Sequence, residues 1–297
     1  MYSQIAKNKR RSFYLLIGFL LVVIAIGYAF SLYYNSPSIT LFVGVGSLIY
    51  AFVSYYNSDK IALSMSGAKE IEKRHNPRLW NMVENLSITA GLPMPKVHII
   101  NDPAPNAFAT GRDPEHASVA ATTGLLEMMN DSELEGVLAH ELSHVGNYDI
   151  RVMGLVLAFV SVVSVLSDFL IRSMWFGGGD RDRNNNGIFM IIGIVAAVLA
   201  PIIATILKLA VSRQREYLAD SSGALLTRYP EGLASALTKI GGYKRPMRRA
   251  STATAHLFLD NPLKKTENHP GGFARLFSTH PPVEERVKRL RNMGGNL

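Results

Sequence analysis

Four long apolar runs constrain this chain more than any other feature. Residues 12–34 (SFYLLIGFLLVVIAIGYAFSLYY) and 39–56 (ITLFVGVGSLIYAFVSYY) carry no charge, while 152–171 and 188–211 carry one each, Asp168 and Lys208. A helix needs about 20 apolar residues to cross the hydrocarbon of a bilayer. Four such runs among 297 residues exceed what one soluble core of this size would hold. The composition, 48% hydrophobic and 18% charged, is too apolar for an ordinary soluble domain and too polar for membrane throughout. The expectation is an α+β chain with four helical spans and a globular part outside the bilayer.

The runs pair into hairpins. Asn35-Ser36-Pro37-Ser38 turns between the first two, and the polar stretch around Gly178, Gly179 and residues 181–187 joins the last two. Tyr33, Tyr34, Tyr55, Tyr56 and Trp175 lie near run ends, where interfacial aromatics gather. Lys7, Lys9, Arg10 and Arg11 precede the first run, which is longer than the roughly 7–15 residues of a signal peptide's apolar stretch and so reads as an anchor. Arg151, Arg213 and Arg215 fall on the same side if every run crosses, and the 35–38 turn has no basic residue. The positive-inside rule then places both termini and segment 57–150 in the cytoplasm. The net charge of +8 is accounted for in this way, and no nucleic-acid motif accompanies it, so no nucleic-acid partner is expected. The absence of cysteine excludes disulfides and thiolate-held metals. The division follows: 1–56 a first transmembrane hairpin, 57–150 one globular part, 151–211 a second hairpin, 212–297 a second globular part.

Within the first globular part, Asn76-Pro77 caps a helix with Leu79, Val83 and Leu86 on one face, ended by Gly91 and Pro93. Residues 96–100, 106–110 and 117–122 have strand character, the last two joined by a turn around Gly111, Asp113 and Pro114. A further helix is predicted to start near Asp131 or Ser132, with Glu135 closing a capping box. After residue 212 come one helix, another from about Glu231, and a long basic connection over 241–277 that reads as a solvated loop against anionic lipid head groups.

The second of these globular helices carries "LAHELSHVGNYD", residues 138–149. Residues i and i+4 share a helix face, so His140 and His144 can present imidazoles to one ion. Glu141 projects beside them, placed to take a proton from water at the metal. A third ligand is needed, and position 150 is Ile, which rules out a further histidine six residues on. In "SRQREYLADSSG" (212–223), Glu216 would complete a two-histidine, one-glutamate site, and Asp220, one turn later, could fix the tautomer of a ligand histidine. Alone, that pair would be a solvated face bridged to Arg213 and Arg215. His75, His98, His116, His256 and His269 match no ligand spacing.

Together "HELSHVGNYD", "SRQREYLADSSGA", "NAFATG" and "FSTHPPVEERVKRL" resemble the HtpX-type membrane zinc metallopeptidases, relatives of the CAAX prenyl proteases. The resemblance covers nearly the whole chain. It implies a cytoplasmic zincin-like catalytic domain with a small sheet, and one Zn2+ per subunit on His140, His144 and Glu216. It implies Glu141 as catalytic base, Asp149 and Asp220 as supports of the ligands, and Asn106, Ala107, Phe108 and Ala109 as an edge strand pairing with extended substrate. His280 would help stabilise the oxyanion, with Arg286 nearby. The implied protein is a multi-pass enzyme of the cell inner membrane, its site on the cytoplasmic side, hydrolysing misfolded or damaged membrane proteins. A catalytically silent scaffold, a prenyl-protein endopeptidase and a metal transporter are the rival readings; a transporter would want its ligands inside the spans.

Overall fold

The computed structural model describes residues 2–34, 36–176, 213–249, 251, 253–263 and 281–294. The fourth apolar run, residues 188–211, and the loop before it, together with His269, His280 and residues 264–277 of the basic connection, lie outside them. The first three runs are helical: α1 (Tyr2–Tyr34), α2 (Pro37–Tyr56), whose proline sits at the first helical turn, and α7 (Asp149–Phe176). They pack on one another through Leu15, Phe19, Ala51, Val156 and Phe159, with Phe19 stacked on Phe159 at 4.1 Å between ring centroids. Their outer faces are apolar too, with Leu21, Leu41, Phe42, Ile49 and Phe52 all exposed. An exposed apolar surface of this kind fits lipid or a partner rather than water. Among the described residues no single helix is long and apolar enough to cross a membrane; two bent pairs are so in combination, Thr40–Tyr56 with Ser58–Ser66 at 69° and Asp131–Gly146 with Asp149–Val165 at 77°.

The rest is a helix-rich α+β body around a small mixed sheet. α3 (Ser58–Ser66) and β1 (Ala68–Glu70), neither visible in the hydropathy pattern, lead into α4 (Pro77–Ala90). Asn76 caps α4 by accepting the Leu79 N–H at 2.9 Å, and Gly91 ends it in the left-handed region at φ 66°. The strands β2 (Lys96–Ile100), β3 (Ala107–Gly111) and β4 (Ala117–Thr122) join β1 in the order β1-β2-β4-β3. β2 and β4 are parallel and β3 returns antiparallel to β4, which puts β3 at the sheet edge. β3 starts one residue later than the sequence suggests because Asn106 is diverted: its N–H goes to the Thr122 hydroxyl and its side-chain oxygen accepts from Ala107. At the other end Gly111 has φ 142°, and a Cβ there would run into the His116 carbonyl.

After the short α5 (Thr123–Met128), α6 (Asp131–Gly146) runs through the centre of the body. Its capping box is Asn130 with Glu133, not Asp131 or Ser132 with Glu135. The reason is tertiary: Glu133 also holds Ser235 and Lys239, each at 2.6 Å, and these belong to α9 (Pro230–Gly242). Leu134, Val137, Leu138 and Leu142 of α6 are buried against Leu79, Val119 and Leu233, each worth about 1.5–3 kcal/mol of apolar burial. α8 (Arg213–Thr227) lies along α6, and α10 (Val283–Gly294) closes against α9.

The solvated loop expected over 241–277 holds at Lys244, Arg245, Arg248 and Arg249, which are exposed, and is corrected at Met247 and over 254–259. Met247, Leu257, Phe258 and Leu259 are buried, Phe258 packs edge-on against Phe108 at 4.9 Å, and the Leu259 N–H bonds the Ala107 carbonyl at 2.9 Å. The basic residues around it suggested solvent, but the apolar stretch "AHLFL" decides where this segment lies.

Candidate metal centre

α6 brings His140 and His144 onto one face, where their rings meet at 89° with the two Nε2 atoms 3.2 Å apart. α8 supplies Glu216, with Oε1 3.6 Å from His144 Nε2 and Oε2 3.9 Å from His140 Nε2. All three residues are buried, and their ligand atoms lie within 4.8 Å of one another. The approach of α8 depends on Gly223, one turn beyond Asp220, where a Cβ would stand 2.9 Å from the His140 backbone nitrogen.

These residues fit a divalent cation. Ligand atoms about 2.0–2.2 Å from a tetrahedral ion stand about 3.3–3.5 Å from one another, and the observed separations of 3.2, 3.6 and 3.9 Å bracket that span. The far nitrogens carry the decisive detail. His140 Nδ1 lies 3.0 Å from Asp220 Oδ1, and His144 Nδ1 lies 3.0 Å from Asp149 Oδ2. Each carboxylate holds the proton on Nδ1, which turns an Nε2 lone pair toward its neighbour and toward Glu216. Two lone pairs and a carboxylate facing one buried point repel unless a cation sits among them.

The electrostatics agree. Burial pulls the His144 pKa down, but the hydrogen bond to Asp149 and the charges of Glu216, Asp149 and Glu141 outweigh it and push it up to about 9. That upward push reflects the negative charge gathered around this point, which a bound cation would balance. Burial also opposes the charge of Asp220, yet the Arg286 guanidinium and His140 hold its carboxyl below the usual carboxylate range. Arg286 is 1% exposed and bidentate on Asp220, at 2.9 Å from Nε and 2.7 Å from Nη2, with Nη1 3.8 Å from Glu216. Its own pKa is driven further upward, since those carboxylates outweigh its burial.

Most of the residues singled out by sequence are brought together. His140, His144, Glu216, Asp149 and Asp220 form one buried cluster, and Glu141, itself 2% exposed, lies between the two histidines on α6. The solvated-face alternative for Glu216 and Asp220 does not hold, as both are 3% exposed. Arg286, expected near the oxyanion, is bound to Asp220, with Nη2 3.5 Å from both His140 ring nitrogens and Nη1 3.8 Å from Glu216. Ala107–Ala109 belong to the edge strand, but its outer side is covered at Ala107 by Leu259, and Asn106 exchanges side-chain bonds with the backbone of Asp260. His280 lies outside the described residues. The sequence reading missed Asn8 of α1, whose amide reaches Asp149 at 2.8 Å; an asparagine between two lysines carries no signal of its own.

The model of peptidase family M48 matches residues 73–294. The chain belongs to that family. It is also 52% identical, over 100% of both chains, to "Protease HtpX homolog" of Tropheryma whipplei (strain Twist). A protein of the same name from Caldanaerobacter subterraneus subsp. tengcongensis is 47% identical over 99% of this chain and 98% of its own. Among solved structures, Ste24p of S. mikatae shares the fold, with a TM-score of 0.52 and 18% identity over 98% of this chain and 67% of that one. The M48 chain described here is thus a membrane-associated metallopeptidase of HtpX type, with a His140–His144–Glu216 cluster able to hold its metal.

Proposed function

We propose that the metal is zinc, one per subunit, held by His140, His144 and Glu216, and that the enzyme is an endopeptidase acting on misfolded or damaged membrane proteins. The observation that carries the metal site is the pair of facing Nε2 atoms, each ring fixed from behind by a carboxylate. Zinc in that place supplies a Lewis acid for the scissile carbonyl and for water. Glu141 takes the proton from the attacking water and delivers it to the leaving amine. Asp149 and Asp220 keep both histidines in the ligating tautomer, and Arg286 keeps Asp220 ionised. His280 remains our candidate oxyanion donor.

Extended substrate adds along β3. Thr122 N–H bonds the Asn106 carbonyl, so alternation along an antiparallel pair turns the backbone of Ala107, Ala109 and Gly111 outward. The Ala107 carbonyl is already taken by Leu259, and Ala109 and Gly111 are themselves buried, so a peptide would pair with these two once the segment over the edge gives way.

α1, α2, α7 and residues 188–211 make four spans, with the catalytic parts 57–150 and 212–297 meeting on the cytoplasmic side of the cell inner membrane. The distribution of Lys7, Lys9, Arg10, Arg11, Arg151, Arg213 and Arg215 supports that orientation. His144 precedes α7 by five residues, so the metal lies within roughly 10–15 Å of the membrane face, within reach of loosened segments of membrane substrates.

Protein purified in chelator and then restored with zinc tests the reading. Cleavage of an unfolded casein-type substrate should appear only on restoration; full activity in the stripped protein would refute it. Reporter fusions test the orientation: residue 120 should read as cytoplasmic, and an external signal there would overturn it.

A further inference from the structure

α1 reaches the metal cluster through one side chain. Asn8 is 2% exposed, and its Nδ2 donates to the Asn147 carbonyl at 2.9 Å and to Asp149 Oδ1 at 2.8 Å. Both partners are acceptors only, so the amide nitrogen must face them and both of its protons are used. Asn147 is the C-cap of α6, and Asp149 is the first residue of α7. Between them the chain turns by 77° through Tyr148, a non-glycine residue at φ 60°. One amide therefore closes the break between the metal-site helix and an apolar helix, and binds the carboxylate whose other oxygen holds His144 Nδ1 at 3.0 Å.

Geometry makes this more than an anchor for α1. A carboxylate held at one oxygen only can rotate about its Cβ–Cγ bond. Arg215 Nη1 also approaches Asp149 Oδ1, but at 3.8 Å, beyond good hydrogen-bonding distance. With Oδ1 fixed by Asn8, Oδ2 is aimed at His144 before any metal arrives. We propose that Asn8 is a positioning residue for the metal centre: it presets Asp149, and through it the His144 ring, so that metal affinity depends on the seating of the N-terminal helix. The proposal rests on His144 being a ligand, as proposed above.

Full-length protein in detergent, stripped and titrated with Zn2+ against a competing chelator, provides the test, with the visible spectrum of the Co2+-loaded form as a second readout. Removing a group behind a ligand costs about 10–100-fold in metal affinity. Asn8 stands one step further back, and Asn8→Ala should lose about tenfold and shift the Co2+ bands. Asn8→Asp keeps the volume but sets an acceptor against two acceptors; it should lose at least as much, and it serves as the test if the alanine variant does not fold. In an Asp149→Ala background, Asn8→Ala should cost no further affinity, whereas a purely structural role would cost the same in both. Wild-type affinity and spectrum in both Asn8 variants, or an equal loss with and without Asp149, would overturn the proposal. His144→Ala run alongside separates the two readings: full metal in that variant sinks the ligand assignment itself, while lost metal there with unaffected Asn8 variants sinks only the role of Asn8.

Discussion

Gly223→Ala asks whether the metal site is set by how closely α8 lies on α6. A Cβ at this position would stand 2.9 Å from the His140 nitrogen and 3.2 Å from the Ala139 carbonyl carbon, both backbone atoms that no side-chain rotation can move. Restoring ordinary contact requires α8 to retreat by about 0.5 Å. Metal–ligand distances tolerate about 0.2 Å, and Glu216 and Asp220 ride on the same face of the same helix. Global stability should change little, because alanine gains about 1 kcal/mol over glycine in a helix while overpacking costs about 1–3 kcal/mol. The net is a loss of about 0–2 kcal/mol in the metal-free protein. Zinc affinity, measured by chelator competition, should fall at least about tenfold, the smaller of the usual penalties for disturbing the surroundings of a ligand. Gly44→Ala, at a helical position with nothing within 4 Å, is the control and should leave affinity unchanged. Wild-type zinc affinity in Gly223→Ala would refute the reasoning, since it would mean that the helix spacing does not set the ligand geometry.

Glu133→Gln should destabilise the fold by about 1–2 kcal/mol at pH 7, the cost of weakening a charged hydrogen-bonded tether, read by urea unfolding. Burial opposes the charge of Glu133, but Lys239, Ser235 and the Asn130 N–H hold its pKa below the usual range. A depressed carboxyl pKa contributes stability above the unfolded value of about 4.3 and loses it as pH falls through the folded value. The difference between wild type and variant should therefore be flat from pH 6 to 8 and shrink below about pH 4; a gap that persists undiminished in acid would contradict the assignment. Ala109→Pro removes an outward N–H from β3 and should abolish peptide cleavage with zinc content unchanged; unaltered cleavage kinetics would sink the edge-strand reading.

What could be read from sequence was what local physics encodes. The helical spacing of His140 and His144, the Asn76 cap, the Gly91 stop and the strands at 96–100 and 117–122 each depend on residues close in the chain. Glu216 was reachable because Asp220, four residues later, made an unusual acidic pair just past an apolar run. Contacts across long separations were not encoded in this way. The capping box fell on Glu133 because Lys239, 106 residues later, needs that carboxylate. The Asn8–Asp149 bond spans 141 residues, and the commitment of Arg286 to Asp220 spans 66. Charge read correctly at Lys244, Arg245, Arg248 and Arg249, which are exposed, but it masked the apolar stretch that follows, whose Leu257, Phe258 and Leu259 are buried and pack on β3.

The central claim is a division of labour in which His140, His144 and Glu216 hold the metal while Glu141 moves a proton. Zinc content and peptidase rate measured together on purified Glu141→Gln and Glu216→Gln test it most directly. Glu141→Gln should keep stoichiometric zinc and lose cleavage by at least about a hundredfold, the lower range for a positioned general base. Glu216→Gln should lose zinc and activity together. Retained activity in Glu141→Gln would contradict the account, and so would full zinc in Glu216→Gln.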